Sequence, residues 1–264
     1  MDTYTNVILG HVNSREKGGA EKAEQILVRQ EKKVKAGDED AIELDLVCYG
    51  AVINCLCRSR KTSSYERAEA LLSRMIDLTG EGRNMVKPDF AVFGTVMKAW
   101  AKSADTRKAD KTLKLLRKAQ GLFNGAGSEM GILGYNWAIY AAATSTGDED
   151  ERKHFFANAL ELFRDAQTSK SVTPNSYTYT FFVKACTTLL PEGEQRDSLV
   201  KGAFEVACKR GQLDRHVISV VTLAIPGFVA DKFNVLDDMD SEDTTFGSIR
   251  ARIFDDLIVS EDEG

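Results

Sequence analysis

Val92-Phe93-Gly94-Thr95-Val96-Met97 decides the fold, because four other stretches of the chain are built like it. They are Thr3-Tyr4-Thr5-Asn6-Val7-Ile8, Cys48-Tyr49-Gly50-Ala51-Val52-Ile53, Gly134-Tyr135-Asn136-Trp137-Ala138-Ile139 and Thr178-Tyr179-Thr180-Phe181-Phe182-Val183. The leading aromatics stand at 4, 49, 93, 135 and 179, separated by 45, 44, 42 and 44 residues. Recurrence at a nearly constant period marks a repeat array, in which each repeat is one supersecondary unit.

Working outward from each block, a second segment carries Ala at i with mostly apolar residues at i+3 and i+4. These are Ala23/Ile26/Leu27, Ala68/Leu71/Leu72, Ala109/Thr112/Leu113, Ala159/Leu162/Phe163 and Ala203/Val206/Ala207. That spacing is one face of an α-helix. Each unit therefore reads as a helix pair, with short polar or Gly-containing joints inside a pair (13–19, 58–64, 103–106, 147–150, 191–194) and longer ones between pairs (36–45, 80–89, 121–131, 168–175). Asp105 and Asp148 sit where helix caps are needed. Pro88 and Pro174 stand just before the next aromatic block, where proline disfavours α geometry in its predecessor and ends the connection sharply.

One helix pair cannot bury its own apolar stripe, so neighbouring pairs must stack over a shared core. The expectation is an all-α protein, a right-handed α-solenoid of about five helix pairs over 1–227, closed by a C-terminal capping helix and an acidic tail over 228–264. The leading aromatics are expected between adjacent pairs. A short helix is expected near 248–259 within the tail.

Composition agrees with a folded, helical chain. Of 264 residues, 43% are hydrophobic and 28% charged, and 4 Pro leave room for uninterrupted helices. The longest apolar stretch, 217–230, is interrupted by Pro226 and falls short of the roughly 20 residues that cross a bilayer. From Phe228 onward there are 11 acidic and 3 basic residues, so this segment carries -8 of a total of -5, leaving +3 on the body. The acidic balance thus belongs to the tail and does not exclude a polyanionic partner for the rest. Five cysteines, an odd number set among apolar residues, suit a reducing compartment. Met1-Asp2-Thr3-Tyr4 has the pattern of neither a signal peptide nor a transit peptide.

The joint and helix Lys87-Pro88-Asp89-Phe90-Ala91-Val92-Phe93-Gly94-Thr95-Val96-Met97-Lys98-Ala99-Trp100 resembles the junction between pentatricopeptide repeats, where Pro-Asp precedes an aromatic, a small residue and an apolar helix. Val172-Thr173-Pro174-Asn175-Ser176-Tyr177-Thr178-Tyr179-Thr180 repeats it, and Tyr65-Glu66-Arg67-Ala68-Glu69-Ala70-Leu71-Leu72-Ser73-Arg74-Met75 is similar to that family's second helix. The resemblance covers residues 3–225. The present repeats are longer than the family's, with the excess in the joints, where added loop costs little entropy.

The resemblance implies single-stranded RNA binding, in organellar RNA processing, stability or translation, in a mitochondrion or plastid. It also implies that each repeat reads one base through the residue after the helix aromatic and the last residue before the next repeat. Carried over, the pairs are Thr5 with Asp45, Gly50 with Asp89, Gly94 with Gly131, Asn136 with Asn175, and Thr180 with Asp214. Thr with Asp resembles a purine reader and Asn with Asn a pyrimidine reader, while Gly50 and Gly94 offer no side chain. Lys98, Lys102 and Lys184, further along the same helices, are placed to meet phosphates. The alternative is a protein-binding solenoid holding a peptide or helix on the same face.

No catalytic or cofactor-binding pattern emerges. His11, His154 and His216 are scattered, and Cys55-x-Cys57 sets its side chains about 200° apart on a helix, unsuited to a shared metal. Asp238-x-Asp240-x-Glu242 lacks the Gly and the closing Glu of a calcium loop. The expectation is a binding protein without enzymatic activity, metal, cofactor or small-molecule substrate, its acidic tail modulating the RNA site or serving solubility.

Overall fold

The computed structural model describes residues 3–13, 18–42, 44–59, 61–123 and 131–233. Among these the chain is all-α, with twelve α-helices, one 3₁₀ turn over Asn84–Val86 and no strand. It divides into two compact units, Met1–Ala126 and Gly127–Gly264. The first contains α1 (Thr3–Asn13), α2 (Gly19–Lys35), α3 (Leu46–Arg58), α4 (Thr62–Gly80), α5 (Phe90–Ala101) and α6 (Lys108–Phe123). The second contains α7 (Gly131–Ala143), α8 (Glu149–Thr168), α9 (Ser176–Leu189), α10 (Glu194–Lys209), α11 (Arg215–Ala224) and α12 (Phe228–Phe233). The unit boundary falls in the joint after α6, inside the expected array. Of the expected acidic tail, 228–233 is α12; the helix expected near 248–259 lies outside the described residues.

Every aromatic block opens an odd-numbered helix and every alanine block lies in the following even-numbered one, so consecutive helices pair as the periodicity requires. Within each unit a first helix packs on its own partner and on the neighbouring first helices, and each second helix except the last leans on the first helix that follows. This explains the division of composition. A first helix has neighbours on several sides and must be apolar nearly all round, whereas a second helix is covered on one face and keeps charge on the other. Each leading alanine of the second helices is buried: Ala23, Ala68, Ala109, Ala159 and Ala203. A methyl side chain there lets two helix backbones approach closely.

Four leading aromatics, Tyr49, Phe93, Tyr135 and Tyr179, are buried, each worth about 2 kcal/mol by removal of apolar surface from water. Tyr49 lies among Glu31 and Val34 of α2, Leu44 of the joint, Leu78 of α4 and Val86, that is, between adjacent pairs. Its hydroxyl donates to Glu31. Burial first, then that hydrogen bond, raises the phenol far above its ordinary range. In the second unit Phe163 of α8 stacks on Phe182 of α9, with ring centroids 3.9 Å apart, and meets Tyr179 edge-on at 5.7 Å. The side chain of Tyr4 lies outside the described residues.

Ion pairs stitch the second helices of the first unit in register. Arg67 on α4 reaches Glu21 and Glu24 on α2, and Arg74 reaches Glu31 at 3.3 Å. One repeat on, Arg107 pairs with Glu66 at 2.9 Å and Lys111 on α6 with Glu69 at 3.0 Å. Arg107 and Lys111 also lie over the ring of buried Trp100, at 5.7 and 5.2 Å. Exposed pairs are worth about 0 to 1 kcal/mol each. Their contribution is to fix which residue faces which across the stack.

Candidate nucleic-acid interface

The residues carried over from the family resemblance differ in their structural settings. Asp45, Asp89, Asn175 and Asp214 are the N-caps of α3, α5, α9 and α11. Their side chains accept from the amides of Cys48, Val92, Thr178 and Val217, at 3.0, 2.9, 3.3 and 3.0 Å. An Asp or Asn in extended geometry satisfies an amide that would otherwise lack a partner in the first turn, worth about 1 kcal/mol each. The position just before α3, α5, α9 and α11 is therefore a capping position. Gly131 is instead the first residue of α7, with a positive φ of 37°.

The structure brings one pair together directly. Asn136 on α7 is 3% exposed. Its Nδ2 donates to Asn175 Oδ1 at 3.0 Å, and its Oδ1 accepts from the buried Thr178 hydroxyl at 2.8 Å. The Asn175 side chain caps the Thr178 amide, and Thr178 Oγ1 in turn accepts from the Asn175 amide at 3.1 Å, a reciprocal capping box. Because an amide N–H can only donate, Asn175 Oδ1 is fixed as an acceptor, and the Asn136 amide must turn its nitrogen toward it. These polar atoms answer one another and clip α7 to α9.

The remaining carried-over residues differ. Thr180 is buried. Gly50 faces α5, where an added Cβ would meet Val92 Cγ2 at 3.5 Å, an ordinary contact. A Cβ on Gly94 would meet nothing within 4 Å. Thr5 lies on α1, its side chain outside the described residues.

Solvent meets the first helices at other positions. Counted from the leading aromatic, the second and fifth residues, and the ninth just beyond, stay partly or fully exposed. In the first unit they are Ala51, Asn54 and Arg58 from α3, and Thr95, Lys98 and Lys102 from α5 and its cap. All of these but Ala51 line a groove of about 770 Å³, together with Thr62 and Ser103 and with no carboxylate in its wall. Arg58 and Lys98 occupy last turns, where a cation also complements the helix dipole. In the second unit the same positions are Trp137 and Tyr140 on α7 and Phe181 and Lys184 on α9, followed by Thr144 and Thr188. The sequence singles out Lys98, Lys102 and Lys184 at these positions but not the aromatics. Two faces of α9 are aromatic, and only packing tells the buried Tyr179 and Phe182 from the half-exposed Phe181.

Charge is segregated by helix. No first helix, α1, α3, α5, α7, α9 or α11, contains Asp or Glu. The carboxylates near them are the capping residues at their N-termini. The second helices carry the acids: Glu21, Glu24 and Glu31 on α2, for example, and Glu149, Asp150, Glu151, Glu161 and Asp165 on α8. This signal was legible in the sequence once helices were sorted into first and second.

None of the five cysteines forms a disulfide. Burial pushes Cys57, Cys186 and Cys208 up to about 12, which keeps them protonated and poorly nucleophilic. Among the described residues no group of three or more His, Cys, Asp and Glu side chains is disposed to hold a metal ion. No protein-family model matches the chain, and no curated protein sequence matches it significantly. No described helix is long and apolar enough to cross a membrane.

Proposed function

We propose that the chain is a right-handed α-solenoid of helix-pair repeats that binds single-stranded RNA along the exposed face of its first helices. It acts by binding rather than catalysis, in RNA processing, stability or translation within a mitochondrion or plastid. The observation that carries the binding reading is the absence of any carboxylate from all six first helices, on a chain with more acidic than basic residues. Packing keeps the first helices mostly apolar, but it does not choose the sign of the few charges they carry: these are Arg58, Lys98, Lys184 and Arg215, all basic, which suits a phosphate backbone that a carboxylate there would repel. Arg58, Lys98 and Lys102 in the groove of the first unit, and Lys184 and Arg215 in the second, supply the cations. The likeness of the Pro88-Asp89 and Pro174-Asn175 junctions to pentatricopeptide repeats supports RNA over other polyanions.

Titration of the full chain with fluorescent single-stranded RNA at several salt concentrations tests the reading. Contact of three to five phosphates with these cations gives a slope of log K against log salt of about -2 to -3.5. Lys98→Glu with Lys102→Glu should abolish most binding at low salt. Absence of RNA binding by the wild-type chain, with recovery of a peptide or protein ligand on the same face, would replace the proposal with a protein scaffold.

A further inference from the structure

Five aromatic rings form a continuous, partly exposed track across the first helices of the second unit. Trp137 and Tyr140 on α7 meet edge to face at 6.1 Å, and Tyr140 meets Phe181 on α9 at 5.0 Å. Phe181 meets Tyr177 at 5.9 Å, and Tyr177 stacks on His216 of α11 at 5.9 Å with only 27° between the rings. Lys184 lies over the Tyr140 ring at 5.4 Å. Tyr177 is 49% exposed, and Leu133 beside the track on α7 is 63% exposed.

Folding does not account for this surface. The core of the unit already has its own aromatic layer on the other side of α9, where Phe182 and Tyr179 pack on Phe163. The equivalent outward positions of α3 and α5 hold Ala51, Asn54, Thr95 and Lys98, so helix pairs of this design fold with small, polar or basic residues there. A row of flat rings left partly open to water marks a binding surface.

We infer that this track is a stacking platform for the bases of single-stranded RNA, and that the second unit holds RNA by ring stacking rather than by reading base edges. The inference rests on the RNA reading above and assigns it a mode. Three observations select the occupant. The helices under the track, α7, α9 and α11, have no acidic residue, Lys184 lies over one ring and Arg215 adjoins His216 in the chain, which suits a ligand whose flat groups alternate with negative charge. Neighbouring rings stand 5.0 to 6.1 Å apart, so successive bases of an extended strand can meet successive rings. The amides that would read base edges, Asn136 and Asn175, are engaged with each other and with Thr178. Every base has a π face, so stacking of this kind tolerates sequence.

The test uses the full chain and 12-nucleotide oligo(U), oligo(A) and oligo(C). Saturation with RNA should quench the part of the tryptophan emission that Trp137→Phe removes, while buried Trp100 keeps its own. Tyr140→Ala and Phe181→Ala should each weaken binding about 5- to 100-fold for all three oligomers alike. Tyr140→Leu and Phe181→Leu keep apolar bulk without a ring, so they preserve folding and should lose nearly as much affinity. Lys184→Gln should lower the salt slope by about one phosphate contact. Full affinity in the leucine variants would mean that bulk rather than stacking holds the ligand and would overturn the inference. RNA binding by the wild type with no change in Trp137 emission and no effect of any ring variant would sink the platform and leave RNA binding on the basic groove intact. No RNA binding by the wild type would remove both proposals.

Discussion

Replacing Asn136 by alanine tests whether the α7–α9 clip is part of the fold or a surface kept for a ligand. The substitution removes two hydrogen bonds, to Asn175 Oδ1 at 3.0 Å and from Thr178 Oγ1 at 2.8 Å, in a place with almost no access to water. The Thr178 hydroxyl has one other acceptor, Asn175 Oδ1 at 3.3 Å, which is already taken by the Thr178 amide. One bond is therefore lost outright and the other is replaced by a poorer one. With about 1 kcal/mol net per hydrogen bond, and about 1 to 3 kcal/mol more where a buried group loses its partner, the expected loss is about 2 to 4 kcal/mol. In urea, at about 1 to 3 kcal/mol per molar, this moves the unfolding midpoint by about 1 M or more. Adding Thr178→Val completes a double-mutant cycle, for which a coupling of about 0.5 to 3 kcal/mol is expected, since the two side chains share one network. An Asn136→Ala protein whose midpoint is unchanged, but which loses discrimination at a single nucleotide, would refute this reasoning and make the amide a base reader.

Tyr49→Ala should cost about 3 to 5 kcal/mol, because the ring is 1% exposed between helix pairs, while Tyr49→Phe loses only the bond to Glu31 and should cost about 1 to 2 kcal/mol. A near-neutral Tyr49→Ala in urea unfolding would place the ring at the surface. Gly94→Ala should stabilise the protein by about 0.5 to 1 kcal/mol, since the added methyl meets nothing within 4 Å and a helix interior favours alanine, and Gly50→Ala should be tolerated; a loss of stability in Gly94→Ala would show a contact absent here. The Arg107 guanidinium, hydrogen-bonded to Asp105, holds that carboxyl at about 2, below its usual 3.8. Its folded-state value is depressed, so its contribution is complete above about pH 4 and is lost as pH falls toward 2. Asp105→Asn should flatten that part of the stability profile between pH 5 and 2, and an unchanged acid limb would assign the acid sensitivity to other carboxylates.

Much of the architecture could be read from the sequence, because helix pairing is dictated locally. A period of 42 to 45 residues, aromatic starts, buried alanines at i and polar joints specify where helices begin, end and turn back. The capping role of Asp45, Asp89, Asn175 and Asp214 was equally local, a side chain one residue before an apolar helix. Reading them as base readers came instead from the family resemblance, whereas as N-caps they answer their own helices first. Periodicity could not tell which outward positions stay wet, since a first helix is apolar on several faces and only the packing of α8 on α9 decides that Phe182 is core while Phe181 stays half-exposed. Nor could it foresee that Asn136 and Asn175, 39 residues apart, spend their amides on each other. Such contacts depend on how one helix pair is rotated against the next, and that rotation is set by side-chain packing between neighbouring pairs within a unit. The sequence by itself determined the helices, their pairing and the separation of acids onto second helices, all of which follow from spacing along one chain. Only the tertiary structure decided which polar groups are consumed within the stack and which rings are left facing water, because that is a property of surfaces brought together from distant repeats.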